Sequence, residues 1–110
     1  MQRVIKFRVW DSVYLNWKNP EDYTYTELFL DDKYIVQQYT GMIDEDGKDI
    51  YEGDIIFCKV YYGIENRIGI VDYFASSFIV DWRNQIDDPL DEIPDIKVIG
   101  NIFENPELLK

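Results

Sequence analysis

The chain has 110 residues, one cysteine, no histidine and a net charge of −11 at neutral pH. That composition excludes an intrachain disulfide, a structural zinc site of the Cys/His type, and Ser-His-Asp or Cys-His catalysis. The acidic balance disfavours phosphate binding through a broad basic surface.

At 46% hydrophobic and 16% aromatic, the sequence can fill the core of one domain, and its nine Tyr, six Phe and three Trp favour β structure. It has no apolar run of about 18 residues that would cross a membrane. The opening MQRVIKFRVW lacks the long apolar region of a secretory signal, so a cytoplasmic location is expected. The negative charge is concentrated in residues 41–60 and 81–110. It favours solubility and suits a basic partner.

Arg3 to Trp10 alternates, with Ile5, Phe7 and Val9 on one face and Lys6 and Arg8 on the other, the period of a half-buried strand. Asp11-Ser12 reads as a turn and Val13 to Trp17 as the returning strand, giving an N-terminal β-hairpin. Asn19-Pro20-Glu21-Asp22 then breaks the pattern. Tyr23 to Leu30 is read as strand on the propensity of its tyrosines and threonines, with Glu27 to Leu30 offering a helical alternative. Asp31-Asp32-Lys33 is a turn before the apolar run Tyr34 to Tyr39.

The stretch from Gln38 to Ile56 organises the chain. Asp46-Gly47 is a strong hairpin-turn pair, and Gly53-Asp54 sits at the entrance of a strand from Asp54 to Tyr62. The acids Asp44, Asp46, Asp49 and Glu52 invite comparison with a calcium loop. With Gly47 at the sixth loop position, however, the first is Met42 and the twelfth Gly53, so both key carboxylates are missing. Cys58, inside an apolar run, reads as a buried and inert thiol.

Gly63 to Asn66 is the next expected turn. Arg67 to Phe74 and Ser77 to Trp82 follow as a hairpin joined near Ala75-Ser76. Gln85 to Asp95 is an acidic loop with two prolines, and Ile96 to Phe103 is the last strand. Asn105-Pro106-Glu107 has the order of a helix start, with room for about one turn. The fold class that follows is mainly β. It is a small, strongly bent sheet or partly open SH3-like barrel with an N-terminal β-hairpin and a short C-terminal helical turn.

Three blocks of this sequence resemble the YopX family, small proteins encoded mainly by bacteriophages and prophages of Gram-positive bacteria. They are Ile5 to Asp11, then Gln38 to Gly41 with Asp46 to Ile55, and Val98 to Leu109. The resemblance implies a single mainly β domain over 1–110, with an N-terminal subregion 1–37 and a barrel-like core 38–104. It implies no known activity and carries over no catalytic residue. Within the blocks, Ile5, Phe7, Ile55, Phe57, Ile99 and Ile102 are core candidates. Gly41, Gly47, Gly53 and Gly100 are placed at turns or bulges.

No catalytic, cofactor-binding or metal-binding residue is therefore expected. The interaction candidates are Arg8 with Glu52 and Asp54, which can pair across strands or contact a ligand. To these are added the aromatics Tyr61, Tyr62, Tyr73 and Trp82 as surplus to the core, and Asp87, Asp88, Asp91 and Glu92 as an acidic docking segment. Two functions compete. One is a non-enzymatic protein-interaction or self-assembling module with a second copy or a basic host or phage protein as partner. The other is an acidic nucleic-acid mimic that occupies a host DNA-binding protein. An enzyme working through paired carboxylates ranks below both. Direct nucleic-acid binding is disfavoured, since Arg3, Lys6, Arg8, Lys18 and Arg67 would have to converge against an acidic background.

Overall fold

A computed structural model describes residues 4–61, 63–83 and 85–110. The chain divides into two compact units, residues 1–39 and 40–110.

The first unit opens with strand β1 (Phe7–Asp11), which pairs antiparallel with β2 (Asn16–Lys18). The expected N-terminal hairpin is thus present, but its return strand is shorter than Val13 to Trp17 because residues 12–15 form the turn. Val9 and Trp10 are buried although successive strand residues point to opposite faces, so β1 is covered on both sides. Trp10 meets Trp17 edge-on across the pair, with ring centroids 4.9 Å apart. Ile5 and Phe7 are not core residues: they are 59% and 37% exposed, and Ile5 precedes the strand.

A 3-10 turn at Pro20–Asp22 leads into α1 (Tyr25–Leu30). This helix replaces the strand expected at Tyr23 to Leu30. Its start is fixed by a capping box in which Thr24 Oγ1 accepts the Glu27 N–H and a Glu27 carboxylate oxygen accepts the Thr24 N–H. Two satisfied end groups outweigh the β propensity of Tyr and Thr. Strand β3 (Tyr34–Ile43) pairs with β1, setting Arg8 opposite Gln37, and runs on into the second unit.

There the end of β3 and β4 (Asp49–Tyr51) flank the Asp46-Gly47 turn, with Gly47 at φ +81°. Gly53, at φ +86°, takes the conformation that a side chain would resist and turns the chain into β5 (Asp54–Tyr61). Next come β6 (Ile64–Phe74) and β7 (Ser77–Asp81), joined by Ala75 and Ser76, both with positive φ, as a primed two-residue turn requires. Strand β6 starts at Ile64, so the expected Gly63 to Asn66 turn is tighter than its sequence suggests.

Strand β8 (Asp88–Pro89) and a 3-10 turn at Leu90–Glu92 interrupt the acidic loop. Strand β9 (Ile96–Asn101) follows, and the chain ends in a 3-10 turn at Pro106–Leu109. These strands form a five-stranded antiparallel sheet in the order β8-β7-β6-β5-β9, with a register shift between Ile55 and Ile56 where β5 meets β9. Its core gathers Ile50, Ile56, Cys58, Val71, Val80 and Leu90 among others. The fold is mainly β, with the expected N-terminal hairpin and C-terminal helical turn.

Candidate interaction surface

In the first unit, Asp11 builds the β1–β2 connection. Its Oδ1 accepts the N–H groups of Val13 and Tyr14 at 2.9 Å each, and its backbone carbonyl accepts the Leu15 N–H at 2.8 Å. Lys18 approaches its other oxygen at 3.9 Å. The Tyr14 N–H, opposed by burial and helped by the Val13 N–H and Lys18, holds the Asp11 carboxyl below its ordinary value. The connection thereby fixed presents Val13, Tyr14 and Leu15 to solvent, at 64%, 71% and 68% exposure. Lys18 Nζ lies 5.6 Å from the centroid of the Tyr14 ring.

The same unit holds an apolar cleft of about 790 Å³. Phe7 and Val36 line it from the strands, Pro20 and Tyr23 from the connection, and Leu28 and Phe29 from α1. Glu21 and Lys6 bring charge to its lining. Tyr25 and Phe29 stack along the exposed helix surface with centroids 6.1 Å apart. Tyr23 packs on Tyr34 at 5.2 Å. A hydrogen bond between the two phenols, then burial, raises the Tyr23 pKa, and contact with Tyr34 likewise raises that of Lys33.

Arg8 belongs to this unit. Its Nε donates to Gln37 Oε1 at 2.9 Å and its guanidinium covers the Trp17 ring at 4.5 Å. Glu52 and Asp54 lie in the second unit. There Asp54 is buried and its Oδ2 accepts the Tyr51 N–H at 2.8 Å, which braces the Gly53 turn.

The aromatic candidates also have structural work. Tyr61 and Trp82 are buried in the core at 7% and 6% exposure, because the register of β5 and the end of β7 turn both rings inward. They are therefore not surplus surface, whereas Tyr73 is half-exposed, and Phe74 beside it is exposed too. Tyr62 lies outside the described residues. Of the acidic segment, Asp87, Asp91 and Glu92 are exposed, while Asp88 Oδ2 accepts the Trp82 indole N–H at 2.7 Å. The acidic loop also sends Leu90 and Ile93 into the core.

Asp44 is the residue whose importance the sequence concealed. It is 6% exposed. Its Oδ1 accepts the N–H groups of Asp46 and Lys48, and its Oδ2 that of Val98 in β9. Burial pushes its pKa up, but the three donors and the Lys48 charge outweigh this and hold it below the ordinary value. Cys58 is buried with Sγ 3.5 Å from the carbonyl oxygens of Val60 and Pro94, and burial raises its pKa. Such a thiol is a poor nucleophile. Among the described residues, no three His, Cys, Asp or Glu side chains stand close enough to hold a metal ion. No helix among them is long and apolar enough to cross a membrane.

A small hairpin-and-helix unit carrying an exposed apolar surface, followed by a five-stranded antiparallel sheet, defines the class of this protein. The chain belongs to the YopX protein family, whose model matches residues 13–110. It is similar in fold to the crystal structure of protein EF1440 from Enterococcus faecalis, with a TM-score of 0.70 and 22% identity over 99% of this chain and 100% of that one. No curated protein matches it.

Proposed function

We propose that this chain is a phage- or prophage-encoded, non-enzymatic interaction module of the host cytoplasm that self-associates through its first unit. The observation that carries this reading is the apolar surface of residues 13–30. Tyr14, Leu15, Tyr25 and Leu30 are each more than two-thirds exposed, and an apolar cleft lies in the same unit. Exposed apolar groups gathered in so short a segment favour contact with another protein surface.

The competing reading, an acidic mimic of nucleic acid, has less support. Asp44, Asp54 and Asp88 accept hydrogen bonds that brace the second unit, and the first two are buried. Sedimentation velocity at low and high salt tests the proposal. Apolar association persists at high salt, where charge contacts are screened. A monomer under both conditions overturns it.

A further inference from the structure

An edge strand offers a row of backbone N–H and C=O groups with which another chain can pair. The five-stranded sheet has β8 at one edge and β9 at the other. Strand β8 has two residues, and one of them, Pro89, has no N–H to give. Strand β9 has six residues, enough to template a further strand. Its outer side is covered by the turn at 44–48. Asp44 Oδ2 accepts the Val98 N–H at 3.0 Å, the Ile96 carbonyl accepts the Glu45 N–H at 3.0 Å, and Lys97 Nζ stands 3.6 Å from Asp46. Ile96 and Val98 are two positions apart, so the groups taken lie on one side of the strand, the side away from β5. At the far end Asn105 does the same work. Its Oδ1 accepts the Asn101 N–H, and its own N–H goes to the Asn101 carbonyl.

We infer that the turn at 44–48 is a strap that guards the β9 edge and keeps it from pairing with β9 of a second copy. Asp44 is the residue that makes the strap work. Its Oδ1 accepts the N–H groups of Asp46 and Lys48, which shapes the turn, while its Oδ2 pins the turn to Val98. A carboxylate can do both because it has two acceptor oxygens and no donor. Without it, the Val98 N–H and the Ile96 carbonyl become the open edge of a strand rich in β-branched residues, Ile96, Val98 and Ile99. The inference concerns the second unit alone, and it stands whether or not the chain self-associates through its first.

The test compares Asp44→Ala with Asp88→Ala in the full chain. Each removes the acceptor of a buried N–H in the second unit, that of Val98 or of the Trp82 indole, and the two should destabilise to similar extents. Only the first frees the strap. In dilute Asp44→Ala the Val98 amide is expected to lose its protection from hydrogen exchange. As concentration is raised, that protection should return while sedimentation velocity shows species larger than those of the parent. Asp88→Ala is expected to keep the association state of the parent and the protection of Val98. Should Asp44→Ala fail to fold, Asp44→Asn, which keeps one acceptor oxygen, takes its place with the same expectations. An association state equal to that of the parent, equal enlargement of Asp88→Ala, or assembly in which Val98 stays unprotected would each overturn the inference. None of these outcomes bears on the first unit, whose self-association is read from the parent chain.

Discussion

The Arg67 guanidinium lies 3.8 Å from the centroid of the Trp82 ring. The Tyr61 ring is 5.7 Å away and Gln85 Oε1 accepts one guanidinium N–H at 2.7 Å. A buried cation thus stands against two ring faces and an amide. Because guanidinium is flat and weakly hydrated, it tolerates this setting better than an ammonium would. Each ring contact is worth about 1 kcal/mol, and a hydrogen bond from a charged donor about 2 kcal/mol. Arg67→Ala is expected to lower stability by roughly 3–4 kcal/mol in urea denaturation. Arg67→Lys should recover little of it. If Arg67→Ala unfolds at the same urea concentration as the parent, the stacking contributes nothing to the core.

Asp44 ties the β3–β4 turn to β9, so its charge state should govern acid stability. Its folded pKa lies below the ordinary 3.8. A group depressed on folding adds stability that is present above the unfolded value and lost as pH falls through the folded one. Asp11 acts in the same direction. Urea midpoints should therefore fall as pH drops below about 4. Asp44→Asn should be less stable than the parent at pH 7 and lose less on acidification. A variant whose acid profile parallels that of the parent would show that Asp44 has no share in the transition. Asp44→Ala leaves the buried Val98 N–H without its acceptor and is expected to cost about 1–3 kcal/mol.

These two residues also show where the sequence stops being legible. Turn chemistry is local, so Asp46-Gly47, Gly53-Asp54 and the Ala75-Ser76 joint could be placed from neighbouring residues. The partners of Asp44 and Arg67 are not adjacent in sequence: Val98 is 54 positions from Asp44, and Trp82 reaches Arg67 from just past the end of the neighbouring strand β7. Burial of Tyr61 and Trp82 was likewise hidden, because a change of strand register reverses the facing of every ring beyond it. Helix α1 is hard to read from the sequence for another reason. Its signal, Thr24 followed three residues later by Glu27, is present, but the tyrosines and threonines around it carry the opposite propensity. In the tip at 13–15, three apolar residues sit within a turn. That was the visible mark of the candidate surface, and strand alternation masked it.

The capping box should be separable from the rest of the fold. Thr24→Ala removes the acceptor for the Glu27 N–H. It is expected to cost about 1 kcal/mol. Hydrogen exchange of the Tyr25–Leu30 amides should accelerate while the amides of β5 and β6 keep their protection. Equal acceleration throughout would mean that this helix unfolds only with the whole chain.

Gly69 faces the core opposite Ile56, and its lack of a side chain is required by packing. A Cβ there would overlap Val80 Cγ1 and stand 2.8 Å from Trp82 Cε3. Since Val80 and Trp82 are themselves enclosed, neither can retreat cheaply. Gly69→Ala is expected to destabilise by about 1–3 kcal/mol. It should also shift the tryptophan emission, since the Trp82 ring must move. Unchanged stability and emission together would show that the sheet opens locally at no cost.

Asp88 separates a structural acid from an exposed one. Its Oδ2 accepts the indole N–H of Trp82, a ring that also supports Arg67. Asp88→Ala leaves a buried donor unmatched and is expected to cost about 1–3 kcal/mol. Asp88→Asn keeps an acceptor oxygen and should lose appreciably less. Asp91→Asn and Glu92→Gln alter exposed side chains and should stay within about 0.5 kcal/mol of the parent. Urea denaturation of the four variants orders them directly. If Asp88→Asn is as damaging as Asp88→Ala, it is the negative charge near Trp82 and Arg67, rather than the accepted hydrogen bond, that the core requires.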